Sequence, residues 1–328
     1  MRAFIISEVH DGYTNAVGDV ECRPTSPEDI LVKVDYSGVN FKDAMVATPK
    51  SRVRRVAHLV GGVDAAGIVE SSADAAVPPG TRVAVHGGTL GVARDGGFAE
   101  YVYVPSAYVS ALPDALSTRA AMIIGTAGIS AMASVLALES HGLGDGEVLV
   151  TGATGGVGSM AVTFLAARGH TPVASTGSLD QTRWLLERGA TEVIGRDAIA
   201  DKPDRVLASE RWAGAVDCIG GDTLHQILRS LRYGAAVAAS GLVAGTELTT
   251  TIYPFITRSV SLLGIDVVEM RADARARTWR ALGEAAAHID FDDLVDREIG
   301  LEGLDDALAT IRRGDSRGRI LVNPAPGV

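Results

Sequence analysis

The sequence predicts an α/β protein in two parts, a partly open β-barrel followed by a doubly wound parallel sheet. Three observations carry that reading. Short apolar runs punctuated by glycine and proline fill the first third of the chain. From Val148 onward, strand-like and helix-like segments alternate. Where that alternation begins, Thr151-Gly152-Ala153-Thr154-Gly155-Gly156-Val157-Gly158-Ser159 lies between the apolar run Val148–Val150 and an amphipathic segment, Met160 to Arg168.

The strand candidates of the first third are Ile30 to Val34, Gly67 to Glu70, Arg82 to Val85 and Ala99 to Val104. Pro27, Pro78-Pro79-Gly80, Gly96-Gly97 and Pro105 separate them. From Ser117 the period lengthens. Ser117, as N-cap, opens a helix to Ile124, and a second helix runs from Gly128 to His141. Strands are then expected at Val148–Val150, Pro172–Ser175, Glu192–Ile194, Ala215–Ile219, Ala235–Ala239 and Ser259 to Ile265. Helices are expected between them at Ser159–Arg168, Leu179–Arg188 and Thr223–Leu231, with Gly169 and Gly189 as stops. A helix follows from Arg275 to His288, and Arg319-Ile320-Leu321-Val322 reads as a strand returning to the first part. The expected domains are 1–120 with 291–328, and 121–290.

With 328 residues the chain is long enough for two cores. A net charge of −10 argues against nucleic acid as a partner. Two distant cysteines, Cys22 and Cys218, imply no disulfide framework and point to a reducing, cytoplasmic setting. The N-terminus is too soon interrupted for a signal peptide, and no apolar run is expected to span a membrane.

Strand, glycine turn and helix in that order hold a dinucleotide pyrophosphate on a helix N-terminus. Against the pattern G-x-G-x-x-G, Ala153 stands in the first glycine position; Thr154, Gly155, Gly156, Val157 and Gly158 complete the candidate cradle. About twenty residues on, an NAD site places a carboxylate at the ribose. Here Ser175-Thr176-Gly177-Ser178 stands instead, with Arg183 nearby in sequence, which predicts NADPH. Ser178 reads equally as a plain helix N-cap, and Arg183 as an exposed helix charge. The later strand ends contribute Ile219, Gly241 and Leu242; Cys218 reads as a small buried thiol.

Several stretches converge on one family. Gly38-Val39-Asn40-Phe41-Lys42-Asp43-Ala44 resembles a G-V-N-Y-K-D-A motif, and Ile124-Gly125-Thr126-Ala127-Gly128 an I-G-T-A-G motif. Trp212 to Asp217, Pro254-Phe255-Ile256 and Leu263-Gly264-Ile265-Asp266 are similar as well. These resemble zinc-free medium-chain dehydrogenase/reductases of the YhdH/AcuI group, which comprises acrylyl-CoA reductases and quinone oxidoreductases. The resemblance runs nearly end to end. It implies a GroES-like barrel domain, a Rossmann domain and a homodimer formed through the last Rossmann strand, Ser259 to Gly264. The family tyrosine is Phe41 here, and the family loop G-W-G-V-G-E-N-H-W-G-G has become Gly87 to Gly97 without its tryptophans or histidine. No metal is expected: the seven histidines are scattered and no Cys-x-x-Cys occurs; His58 and His86 read as exposed or satisfied side chains.

Hydride from NADPH suits a conjugated acceptor, so the expected substrate is a short enoyl-CoA or an enone. A quinone is the second reading, and a nucleotide-binding structural protein the third. Negative charge reaching the carbonyl oxygen calls for donors. Asn40 is the first candidate, as a donor to cofactor or substrate; Lys42 stabilises the enolate or faces solvent. Asp43 orients either of them, or caps a helix from Ala44 onward. Ala44 and Thr126 are expected beside the cofactor, as is Arg317 unless it merely precedes the last strand. Phe41, Arg54 and Arg55 are expected to meet the substrate; with Arg52, the two arginines form a basic cluster suited to coenzyme A phosphates or a solvated face.

Overall fold

The computed structural model describes residues 1–10, 12–49, 51–199, 205–325 and 327. They divide into two compact units, Met1–Thr126 with Val267–Val328, and Ala127–Asp266.

The first unit begins with two strands that periodicity alone did not suggest, β1 (Arg2–Val9) and β2 (Gly12–Asp19), paired antiparallel. Then come β3 (Ile30–Gly38), α1 (Phe41–Val46), β4 (His58–Val60), β5 (Asp64–Ser71), β6 (Arg82–His86), β7 (Tyr101–Val104) and β8 (Val109–Ala111). Among the described residues β1 lies between β2 and β4, and a second sheet contains the order β3-β5-β6-β8 with β7 also on β3. Its core interleaves Ile30, Val32, Val83, Val85, Val102 and Val104, the alternate inward positions of β3, β6 and β7.

The helix α2 (Thr118–His141) starts where expected, with Ser117 Oγ accepting the Ala120 amide at 3.0 Å. It breaks at Gly125, between the two predicted helices. Contrary to expectation, α2 is long and apolar enough to cross a membrane, but 78% of its apolar window is buried inside the protein.

The second unit alternates as predicted, with one further helix: β9 (Glu147–Thr151), α3 (Gly156–Ala167), β10 (Thr171–Thr176), α4 (Thr182–Glu187), β11 (Glu192–Gly195), β12 (Trp212–Asp217), α5 (Gly221–Ser230), β13 (Leu231–Ala239), α6 (Tyr253–Arg258), which was not expected, and β14 (Ser261–Gly264). The described strands form one parallel sheet in the order β11-β10-β9-β12-β13-β14. The order reverses between β9 and β12, so the loops leaving their carboxyl ends border one crevice.

Past β14, α7 (Ala272–Ala285) falls in the first unit rather than in the expected 121–290 domain. Its buried face decides this: the Trp279 ring centroid is 6.4 Å from that of His86 on β6, and a Cβ on Gly283 would press on Pro113 at 2.9 Å. The chain closes with β15 (Val295–Ile299), α8 (Leu304–Arg313) and β16 (Arg319–Val322), which pairs parallel with β15 and antiparallel with β3.

Candidate active site

In the first unit the polar wall is built around one carboxylate. Asp64 opens β5 and is buried. Its Oδ1 accepts the Gly38 amide at 3.2 Å; its Oδ2 accepts the Asn40 side-chain amide and the Thr126 backbone amide, each at 2.9 Å. Arg319 of β16, 3% exposed, lies 3.9 Å from it. That guanidinium donates to the carbonyls of Ile123 and Val39 and to Asn40 Oδ1. Glycine makes the fit possible: a Cβ on Gly38 or Gly125 would lie 2.7 Å from the Arg319 guanidinium. Gly125 also takes φ 49°, ψ −164°, which breaks α2 beside the Thr126 amide that Asp64 receives. Burial lowers the guanidinium's affinity for its proton, against the pull of Asp64 and Asp43.

Asn40 is the N-cap of α1. Asp43, at the third helical position, accepts the Asn40 backbone amide at 2.8 Å and the Val63 amide at 2.9 Å. The expected cap from Asp43 is therefore corrected by three residues, because the helix begins at Phe41. Burial, reinforced by the charge of Asp64, pushes the Asp43 carboxyl up to about 7 despite its amide donors. Asn40, Lys42 and Thr126 together line a cavity of about 60 Å³ with Gly87, Gly88 and Val268. Both hydrogens of the Asn40 amide go inward, to Asp64 and to the Gly38 carbonyl at 3.1 Å. Both amide hydrogens of Asn40 are thus used inside this network, where the sequence had suggested a donor to cofactor or substrate.

Other expectations fall differently. Ala44 is buried in the apolar cluster with Val46 and Val92 and does not line the Lys42 cavity. Arg54, expected at the substrate, is 9% exposed and donates to the Val46 carbonyl at 2.9 Å, securing the end of α1. Arg55 is exposed, while Phe41 lines a different cavity, with Arg52. Arg317 reaches Asp296 at 3.6 Å; the arginine built into the wall is Arg319, two residues on. His86 is neither exposed nor satisfied: it is 1% exposed, neither ring nitrogen has a hydrogen-bond partner, and burial with the nearby Arg275 charge pulls it down to about 3. Among the described residues no group of three or more His, Cys, Asp or Glu side chains could hold a metal.

In the second unit the glycine turn follows β9. Gly152, at φ 59°, makes the sharp turn, which is the role the sequence comparison had assigned to position 153. Gly155 is the N-cap of α3. A Cβ on Gly158 would lie 2.3 Å from the Gly152 carbonyl oxygen, so only glycine lets α3 pack this close to the turn. Gly156 and Val157 lie in the first turn of α3, whose N-terminus leaves backbone amides without helical partners, as the expected cradle requires. Thr154 Oγ1 lies 3.2 Å from Thr176 Oγ1, which accepts the Ser178 amide at 3.0 Å; Ser175 is buried in β10.

Ser178 precedes a short 3₁₀ turn without capping it through its side chain. Arg183, 91% exposed, pairs with Glu187 at 2.9 Å, the ordinary i,i+4 helix pair. The cation beside Gly177 is Arg196, just past β11: a Cβ on Gly177 would lie 2.5 Å from its Cζ. The Arg196 guanidinium has no hydrogen-bond or carboxylate partner among the described residues. At the neighbouring strand ends, a Cβ on Gly241 would lie 1.9 Å from the Cys218 carbonyl oxygen, and Ile219 packs under Gly152. Leu242 is exposed. Asp217, missed by the sequence reading, accepts Thr151 Oγ1 at 2.7 Å and the Gly220 amide at 2.9 Å, and burial raises its pKa. Burial raises the Cys218 thiol too, so it is an inert thiol in this loop.

Known proteins carry the same architecture. Residues 26–114 match the alcohol dehydrogenase GroES-like domain and residues 156–286 the zinc-binding dehydrogenase family. YhfP of Bacillus subtilis is 44% identical over 90% of this chain and 91% of its own. The acrylyl-CoA reductase AcuI of Ruegeria pomeroyi is 41% identical over 90% of each. The chain belongs to the YhdH/AcuI group of medium-chain dehydrogenase/reductases. Its fold follows that of Escherichia coli YhdH with bound NADPH at a TM-score of 0.92 and 35% identity, over 98% of this chain and all of that one. The YhfP structure with NAD bound gives 0.94 and 41%, over 98% of each. In this member of the YhdH/AcuI group the first unit is the GroES-like domain and the second the Rossmann domain.

Proposed function

We propose that this protein is an NADPH-dependent reductase of an activated carbon–carbon double bond, with a short enoyl-CoA of the acrylyl type as substrate. The observation that carries the proposal is the match to AcuI over nine-tenths of both chains, together with an unpaired arginine set over Gly177 where a 2′-phosphate needs a cation. The residues present fit the nucleotide. Gly155 to Gly158 would take the pyrophosphate, Ser175 to Ser178 with Arg196 the phosphorylated ribose, and Ile219, Gly241 and Leu242 the later strand ends. When bound, NADPH supplies the hydride.

The chain's own residues position and polarise. Lys42, on the cavity wall, brings positive charge toward the thioester carbonyl as negative charge develops there. Asn40, held between Asp64 and Arg319, sets the start of α1 and with it Lys42. Thr126 is fixed by the same carboxylate.

A homodimer joined along β14 is part of the proposal. Leu262 on that edge strand and Ile252, Tyr253 and Ile256 beside it are exposed apolar side chains. The two free cysteines, Cys22 and Cys218, fit a cytoplasmic setting.

NADPH consumption with acrylyl-CoA, crotonyl-CoA, simple enones and quinones tests the assignment. Turnover on the thioesters above all others is expected. Efficient turnover on quinones alone would make it a quinone reductase, and none on any acceptor would leave a nucleotide-binding protein.

A further inference from the structure

A second cavity lies on the other side of α1. Asn40 and Lys42 line the cavity already described, whereas Phe41, Ala44 and Met45 line one of about 260 Å³ closed by Val53, Arg52 and Arg312. Its floor is apolar and its two cations come from elements far apart in sequence, the loop after α1 and the last turn of α8. Neither guanidinium has a carboxylate or hydrogen-bond partner among the described residues, although acidic residues outnumber basic ones 40 to 30 in this chain. The contrast with their neighbours is sharp: Arg54 is tied to the Val46 carbonyl and Arg313 to Asp315. Ser51, whose hydroxyl donates to the Met45 carbonyl and accepts the Val53 and Arg54 amides, holds the loop against the helix.

An aromatic floor with two unpaired guanidinium groups at the rim suits a flat apolar group carrying phosphate. We propose that this cavity binds the phosphorylated adenosine end of the CoA thioester, with Phe41 against the base and Arg52 and Arg312 on phosphate. This assignment rests on the enoyl-CoA reading above and gives that substrate a second anchor. It also places the phenylalanine that replaces the family tyrosine in tail recognition instead of hydroxyl chemistry.

The test compares acrylyl-CoA with acrylyl-pantetheine, which lacks every phosphate, in the full-length enzyme. Arg52→Ala with Arg312→Ala is expected to raise KM for acrylyl-CoA by about tenfold or more, and Arg312→Glu further. KM for acrylyl-pantetheine and for NADPH should move less than about twofold by the same reasoning, since neither ligand uses those contacts. An unchanged KM for acrylyl-CoA, or an equal rise for both thioesters, would overturn the assignment.

Calorimetry with adenosine 3′,5′-bisphosphate at saturating NADP⁺ separates this inference from the assigned activity. Binding lost in the double variant supports the cavity even if the enzyme reduces no thioester. Absence of binding to the wild type, or displacement by equal inorganic phosphate alone, counts against it.

Discussion

Replacing Arg196 by alanine should lower the use of NADPH and leave the use of NADH little changed. The side chain lies over Gly177, with no partner among the described residues, so nothing inside the protein is left unpaired when it is removed. The fold should therefore be indifferent. A 2′-phosphate carries about −1.5 to −2 charge at neutral pH, and a charge-assisted contact to arginine is worth about 1.5–3 kcal/mol. Arg196 is exposed, so solvent and salt hold the contribution to the lower end, about 1.5 kcal/mol. That corresponds to about a tenfold fall in kcat/KM with NADPH, against little change with NADH. Steady-state rates with each coenzyme at two ionic strengths measure it, and the wild-type preference should weaken as salt rises. Arg183→Ala, which breaks only the exposed pair with Glu187, serves as the control and should change neither. Equal losses with both coenzymes, or a loss in Arg183→Ala and none in Arg196→Ala, would refute the reasoning.

Asn40→Ala should lower kcat by about ten- to a hundredfold, because it loosens Asp64, Arg319 and the start of α1 together; an unchanged rate of hydride transfer would remove Asn40 from the mechanism. Asp43 has a native pKa raised from 3.8 to about 7, so the folded state holds that proton more tightly than the unfolded chain. Stability from this group is present at low pH and lost as pH rises through that window, by up to roughly 4 kcal/mol. Asp43→Asn should flatten that part of a Tm–pH profile, and an unaltered slope would show that the carboxyl is ionised throughout. His86 acts in the opposite sense: its pKa is pulled down to about 3, so its contribution is complete above its ordinary value of 6.5 and is lost as pH falls. His86→Asn should make the acid limb of the same profile shallower. Gly158→Ala must push α3 off the Gly152 carbonyl and should cost about 1–3 kcal/mol by urea unfolding, with weaker NADPH affinity; wild-type stability in that variant would mean the turn is not close-packed.

Much of the Rossmann unit was legible because each signal there is local. An apolar run, a glycine turn and an amphipathic helix are neighbours in sequence, and the parallel order follows from their alternation. The β1–β2 hairpin was not, since most of its second strand is only partly buried and shows no clean alternation of period two. Residue choice at the site divides in the same way. Gly155, Gly156 and Gly158 could be assigned from the motif, whereas Arg196 lies some twenty residues from Gly177 and meets it only because β10 and β11 are adjacent. Arg183 was nearer along the chain, but one helical turn brings it to Glu187 instead.

By itself the sequence determined the two-part α/β organisation, the strand–turn–helix that cradles a nucleotide, and the lack of a carboxylate at the end of β10. Those follow from backbone preferences and side-chain periods that act over a few residues. The tertiary structure decided which charges are used. Asp64, Arg319 and Asn40 come from three separate stretches and become one buried network only when β3, β5 and β16 assemble in a single sheet. Burial then turns ordinary polar residues into a costly, mutually dependent set, and that dependence has no trace in local sequence.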